Sequence, residues 1–196
     1  MSAFFRSVKN FLSLVRFSHT VFAMPFALIG FFMGVADSTF SFRLLILVVL
    51  CMVFARNAAM GFNRIVDSKY DSLNPRTKGR EIPSGVISKR SASLFVVVNA
   101  ALFVVTTAFI NRLTLLLSPV ALIVILGYSL SKRFTALCHF VVGLGLSLAP
   151  IGAYIAVTGV FHVLPLIYSF IVLTWVGGFD IIYSLQDKEF DERNNL

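Results

Sequence analysis

The chain has 196 residues, 58% of them hydrophobic and only 13% charged, with 17 Lys and Arg against 9 Asp and Glu and a formal net charge of +8. A charged fraction about half the ~25% of soluble domains, with apolar runs of about 20 residues that can cross a bilayer as helices, excludes a soluble core with a second domain. The positive balance alone would suit a phosphate backbone, but cytoplasmic loops of membrane proteins also collect Lys and Arg, so the expectation is an all-α polytopic membrane protein with the lipid bilayer, and no nucleic acid, as its partner.

In chain order, residues 1–17 mix apolar and basic side chains and are expected to lie at the membrane interface as an amphipathic segment. The apolar run behind them is too long for a signal peptide and is interrupted by Arg16, His19 and Pro25, so an uncleaved first span is expected. Six spans are predicted, at 18–35, 44–62, 91–110, 113–130, 137–157 and 163–182. Basic residues alternate with them. Arg6, Lys9 and Arg16 precede the first span, and Arg64, Lys69, Arg76, Lys78, Arg80, Lys89 and Arg90 follow the second. Lys132 and Arg133 follow the fourth, and Lys188 and Arg193 follow the sixth. The opposite connections carry only Arg43 and Arg112, while Arg56 lies within the second span. By the positive-inside bias the rich side is cytoplasmic and holds both termini.

Residues 63–90 are expected to form a long cytoplasmic connection, capped by turns at Asn74-Pro75 and Pro83-Ser84-Gly85. In the fifth span Gly143, Gly145, Ser147, Ala149 and Gly152 form a small-residue stripe, read as tight helix packing with a substrate groove as the alternative. Cys51 and Cys138 read as small buried hydrophobes, and His139 and His162 as structural.

The informative residues are acidic. Asn63, Asp67 and Asp71 recur at i, i+4 and i+8, which drifts only about 40° per step and keeps them on one helix face. Asp180, Tyr183, Asp187 and Asp191 return to within about 80° of one another on a second helix. Both sets fall where an even-numbered span reaches the basic side. One alternative is a pair of solvated, charged helix ends. The other is functional: boundary carboxylates are expensive, and two facing sets repel unless a cation lies between them. Oxygen-only ligands suit Mg²⁺, which binds through one or two carboxylates together with substrate phosphates. Arg64, Lys69, Arg76, Lys78, Arg80, Lys132 and Arg133 are available to neutralise the rest of a diphosphate.

Asn63-x3-Asp67-x3-Asp71 resembles the first aspartate-rich motif of the UbiA superfamily of intramembrane aromatic prenyltransferases, and Asp180-x2-Tyr183-x3-Asp187-x3-Asp191 resembles the second. The resemblance extends to Arg16-Phe17-Ser18-His19-Thr20, to Asn74-Pro75-Arg76-Thr77 with Arg80 and Pro83-x-Gly85, and to Tyr128-Ser129-x-x-Lys132-Arg133. It implies one prenyltransferase membrane domain over residues 1–196, incomplete at its C-terminus, because the family usually has nine transmembrane helices and six are predicted here. It implies Mg²⁺ held by Asp67, Asp71, Asp187 and Asp191 with Asn63 and Asp180 assisting, and a polyprenyl diphosphate bound by Arg64, Lys69, Arg76, Arg80, Lys132 and Arg133. Tyr183 would stabilise developing positive charge through its ring. Arg16 and Arg56 are candidates for the carboxylate of an aromatic acid acceptor, Arg16 serving equally well as an interfacial anchor, and His19 is a candidate site-lining residue.

Asn63-Arg64-Ile65-Val66-Asp67, Asn74-Pro75-Arg76-Thr77 and Phe179-Asp180-Ile181-Ile182-Tyr183 look closest to the bacterial 4-hydroxybenzoate polyprenyltransferase-like branch, part of which serves menaquinone synthesis with a dihydroxynaphthoate acceptor. The implied location is a bacterial inner or plasma membrane. The alternative is a catalytically incomplete fragment or partner subunit of such an enzyme. A CDP-alcohol phosphotransferase is disfavoured, since its Asp-Gly-x-x-Ala-Arg pattern is absent.

Overall fold

The computed structural model describes residues 3–131, 133–135 and 137–187, which hold seven α-helices and no strand. In order these are α1 (Ala3–Leu14), α2 (Phe17–Ala36), α3 (Phe42–Leu73), α4 (Lys89–Ala108), α5 (Arg112–Ser131), α6 (Cys138–Thr158) and α7 (Val163–Ser184), followed by a 3₁₀ turn at Leu185–Asp187. Helices α3 to α7 are each long and apolar enough to cross a bilayer, and α2 adds the shorter apolar stretch Ala23–Ala36. The expected all-α membrane bundle is what forms.

The helix limits have local causes. Ser41 caps α3 and Ser88 caps α4, each side chain accepting from a backbone N–H three residues on. Asn111 does the same for α5, its Oδ1 accepting from Thr114 N at 2.8 Å. His162 caps α7 through Nδ1, which accepts from Leu164 N, and so takes the structural role expected of it. At the other end of α6, Gly159 adopts a left-handed backbone (φ 73°), where a side chain would be strained.

One expectation needs correcting. Residues 63–90 are not a continuous loop: α3 runs on through the first acidic motif to Leu73, and the connection proper begins at Asn74. Hydropathy drops after Phe62, but a drop in hydropathy marks the membrane exit and not the end of a helix. Nothing in residues 63–73 breaks the backbone ladder until Asn74, which precedes Pro75 and is extended (ψ 121°), as a residue before proline favours.

The bundle closes through small residues. A Cβ added to Gly30 of α2 would lie 1.9 Å from the Pro150 carbonyl oxygen of α6, and one added to Gly143 of α6 would lie 2.3 Å from the Leu173 oxygen of α7. Both pairs of helices therefore touch backbone to backbone, as small residues permit in membranes. The buried side chains of Ala27, Phe31, Val48, Ala153 and Ala156 join α2, α3 and α6 in one core. A second core of Leu14, Ile82, Ile87 and Ala92 ties α1 and the 74–88 connection to α3 and α4, with Phe11 stacked on Phe95 at 4.9 Å.

Polar contacts gather at the two ends. At one, Asn111 Nδ2 donates to the Ile155 and Ala156 carbonyls, Tyr154 OH donates to Asp37 Oδ2, and Arg43 reaches the Phe109 oxygen. The opposite end carries the first acidic motif together with Asp180 and Tyr183 of the second.

Candidate active site at the acidic end

Asp67 and Asp71 lie one turn apart near the C-terminal end of α3, each about 6% exposed, and Asn63 is half-buried a turn earlier on the same face. Carboxylates this deep need compensation. Asp71 receives it from Arg80, whose Nη1 donates to Oδ1 at 2.6 Å, with the two side chains 20% and 9% exposed. Thr77 Oγ1 donates to the Asp71 carbonyl oxygen at 3.2 Å. The Asn74 side chain holds the turn that delivers both residues, accepting from Arg76 N at 2.9 Å. The connection therefore folds back over the motif that precedes it.

The other expected cations divide. Arg64 is buried and spends Nε on the Leu14 carbonyl oxygen at the end of α1, within electrostatic range of Arg80, Asp71, Arg16 and Glu81. Arg76 lies over the Tyr183 ring at 5.9 Å, linking the connection after the first motif to the helix of the second. Arg133 donates to the Val66 carbonyl oxygen at 2.8 Å and covers the Tyr70 ring at 5.7 Å, which brings the turn between α5 and α6 to the same end. Lys69 is not brought in. It is exposed, because two residues turn a helix about 200° away from Asp67. Arg16 is exposed between α1 and α2 with a left-handed backbone (φ 45°), which costs an arginine about 1 kcal/mol or more.

On α7, Asp180 and Tyr183 are partly exposed, and Asp180 Oδ2 lies 2.8 Å from His139 Nδ1. Phe179 stacks near Tyr183 with ring centroids 6.4 Å apart. Lys132 and Asp191 lie outside the described residues, and for His19 and Asp187 only the backbone is described, His19 in the first turn of α2 and Asp187 closing the 3₁₀ turn.

The donor set fits magnesium. It is all oxygen, and the second carboxylate oxygen of Asp71 is buried with no hydrogen-bond partner among the described residues. Asn63, Asp67 and Asp71 are the residues of α3 that would hold the ion. Among the described residues no three His, Cys, Asp or Glu side chains converge.

Behind the acidic end lies a cavity of about 190 Å³ between α2, α3, α4, α5 and α6. Its wall is almost wholly apolar, with Phe26, Met52, Phe103 and Leu148 among the lining side chains. Arg56 and Tyr128 are the exceptions that matter. The Arg56 Nε is buried without a hydrogen-bond partner among the described residues, and Tyr128 lies within electrostatic range of Arg56, Arg64 and Asp67. The cavity and the acidic set are thus neighbours. Gly143 packs against α7, as the tight-packing reading of the small-residue stripe expects, while Gly145, Ala149 and Gly152 line this cavity.

Sequence reasoning assigned no role to Thr77, Tyr128 or Tyr70. The only signal for the first two was their position inside stretches already noted, Asn74-Pro75-Arg76-Thr77 and Tyr128-Ser129.

Comparison with known proteins places the chain in a family and a fold. The model of the UbiA prenyltransferase family matches residues 23–196. The 4-hydroxybenzoate octaprenyltransferase of Aliivibrio fischeri is 35% identical over 159 residues, covering 80% of this chain and 55% of that protein. Among solved structures, an apo UbiA homolog from Aeropyrum pernix K1 superposes with a TM-score of 0.82 at 35% identity, covering 89% of this chain and 66% of that one. A UbiA homolog from Archaeoglobus fulgidus bound to GPP and Mg²⁺ superposes with a TM-score of 0.73 at 25% identity, covering 95% and 66%. The chain spans about half the length of the curated relatives it matches.

Proposed function

The chain belongs to the UbiA prenyltransferase family, and we propose that it transfers a polyprenyl group from a polyprenyl diphosphate to an aromatic acid, 4-hydroxybenzoate or a dihydroxynaphthoate, in ubiquinone or menaquinone biosynthesis. The observation that carries this reading is the junction of two unlike surfaces. A carboxylate and arginine mouth opens beside an apolar cavity that contains a single buried guanidinium. The mouth suits a charged diphosphate, the cavity suits apolar groups, and Arg56 suits the carboxylate of an acceptor, since a buried arginine needs an anionic partner. The names of the relatives and the GPP and Mg²⁺ held by one structural neighbour support the same substrates.

Bound Mg²⁺ would supply Lewis acidity and charge neutralisation to the leaving diphosphate. Asp67 and Asp71, with Asn63, would hold it from α3, and Asp187 and Asp191, with Asp180, would supply the remaining carboxylates. Arg80 keeps the Asp71 carboxylate in one orientation. Arg76, Arg133 and Lys132 offset the remaining phosphate charge, and Arg64, turned to the end of α1, contributes its field. The allylic C–O bond breaks with its electron pair leaving on the diphosphate. The acceptor carbon beside the phenolic hydroxyl then forms the new C–C bond and loses its proton, restoring the ring. Tyr183 presents a π face to the developing positive charge. By the resemblance, Arg16 is assigned with Arg56 to the acceptor's carboxylate, or else to an interfacial anchor, and His19 to the lining of the site. The acidic end is placed at the cytoplasmic side of a bacterial plasma membrane, with both termini there, by the bias of the basic residues.

The test uses membranes containing the chain, an all-trans polyprenyl diphosphate, Mg²⁺ and the two candidate acids, with prenylated product measured. Product is expected with one acid in preference to the other. Asp67→Ala or Asp187→Ala is expected to reduce it at least about a hundredfold, the usual loss when a charge-stabilising group is removed. Undiminished product in both variants would overturn the assignment.

A further inference from the structure

His139 opens α6 at its second residue, belongs to neither acidic motif, and matches no ligand spacing in the sequence. The fold nevertheless delivers it to Asp180 of α7, Nδ1 to Oδ2, at 2.8 Å. That contact depends on unusually close helix packing. The Gly143 approach seats α6 on the α7 backbone, and one turn away a Cβ on Gly177 would come within 3.2 Å of the Phe140 ring and 3.5 Å of the His139 carbonyl oxygen. Two glycines thus set the separation at which an imidazole on one helix reaches a carboxylate on the next.

A carboxylate on a partly exposed helix end samples several rotamers unless something holds it. A hydrogen bond to one oxygen removes that freedom and leaves the other oxygen presented in one direction. Where a carboxylate serves a metal site, such a partner typically changes metal affinity about 10–100-fold. Asp71 has a partner of this kind in Arg80. In the second acidic set the corresponding contact comes from His139.

We propose that His139 is a positioning residue of the second acidic set: it donates from Nδ1 to Asp180 Oδ2 and fixes the orientation in which Asp180 meets the diphosphate-bound cation or its water shell. This rests on the functional reading above, and it goes beyond that reading by giving a residue outside both motifs a part in the metal requirement. A purely mechanical staple between α6 and α7 would show itself in the stability of the ligand-free protein. A positioning contact shows itself in how much Mg²⁺ the site needs.

The experiment measures binding of labelled geranyl diphosphate to the full chain in detergent or nanodiscs as Mg²⁺ is titrated, together with the melting temperature without ligand. His139→Phe is expected to raise the half-saturating Mg²⁺ concentration about tenfold. His139→Asn, whose amide nitrogen sits near the place of Nδ1, is expected to stay within about twofold of the unsubstituted chain. In an Asp180→Asn background His139→Phe should add nothing further, because the two residues then act as one unit. A wild-type Mg²⁺ requirement in His139→Phe overturns the inference. So does a raised requirement that tracks only a lowered melting temperature and is not restored by asparagine. If the unsubstituted chain shows no Mg²⁺-dependent binding, the functional reading falls and takes this inference with it; normal binding with indifferent variants overturns this inference alone.

Discussion

The two acidic sets answer the same electrostatic problem in opposite ways. The first sits near the C-terminal end of α3, where Asp67 and Asp71 are almost fully buried and the following connection folds back to supply Arg80 and Thr77. The second sits at the end of α7, a helix whose Phe170, Trp175, Phe179 and Ile182 are all exposed, and there Asp180 is 35% exposed and held by one imidazole. Burial makes a carboxylate's partner indispensable, because removing it strands a charge in low dielectric. Exposure makes the partner a matter of orientation, because water covers the charge either way. The first set is built into the stability of the fold, and the second is built onto it.

Three substitutions probe that contrast. The largest effect is expected from Arg80→Met, which leaves Asp71 buried and unpaired and should destabilise the protein by about 2–3 kcal/mol. Denaturation in detergent measures it, and adding Asp71→Asn should recover part of the loss. A loss below that of an ordinary surface change would mean that the buried set is not structurally committed. A smaller effect, about 1–3 kcal/mol, is expected from Gly143→Ala, whose methyl group must displace the α7 backbone. Cysteine crosslinking between α6 and α7 should report the displacement, while contacts of Arg80 remain as they are. The smallest is Tyr183→Leu, which removes the ring beneath Arg76 and should cost about 0.5–1 kcal/mol in stability. Tyr183→Phe keeps the ring and should leave stability unchanged, so equal effects of the two would remove the cation–π contact from the account.

What was legible in the sequence follows the same division. The shared face of Asn63, Asp67 and Asp71 could be read from the 3.6-residue period alone, because that relation is local to one helix. The same period, applied to Lys69, would have shown that this lysine turns away; it was grouped with the cations by proximity along the chain. The length of α3 was misjudged because hydropathy reports the solvent around a helix, whereas its end is set by Asn74 and Pro75. The His139–Asp180 contact had no sequence signal at all, since 41 residues separate the two and only the docking of α6 on α7 joins them. The cavity beside Arg56 is likewise a product of five helices, although the arginine itself stood out as a charge inside an apolar span.

The extension of α3 has a geometric consequence. Its 32 residues, at about 1.5 Å each, make a rod about 48 Å long, against a hydrocarbon layer of about 30 Å. The far third of that rod, which carries Asn63, Asp67 and Asp71, therefore stands at the depth of the lipid headgroups. A prenyl diphosphate already floats at that depth, its phosphates among those of the lipids and its tail among their chains. For the function proposed above, capture would need only lateral diffusion and a sideways turn of the head, and the tail would never be lifted into water.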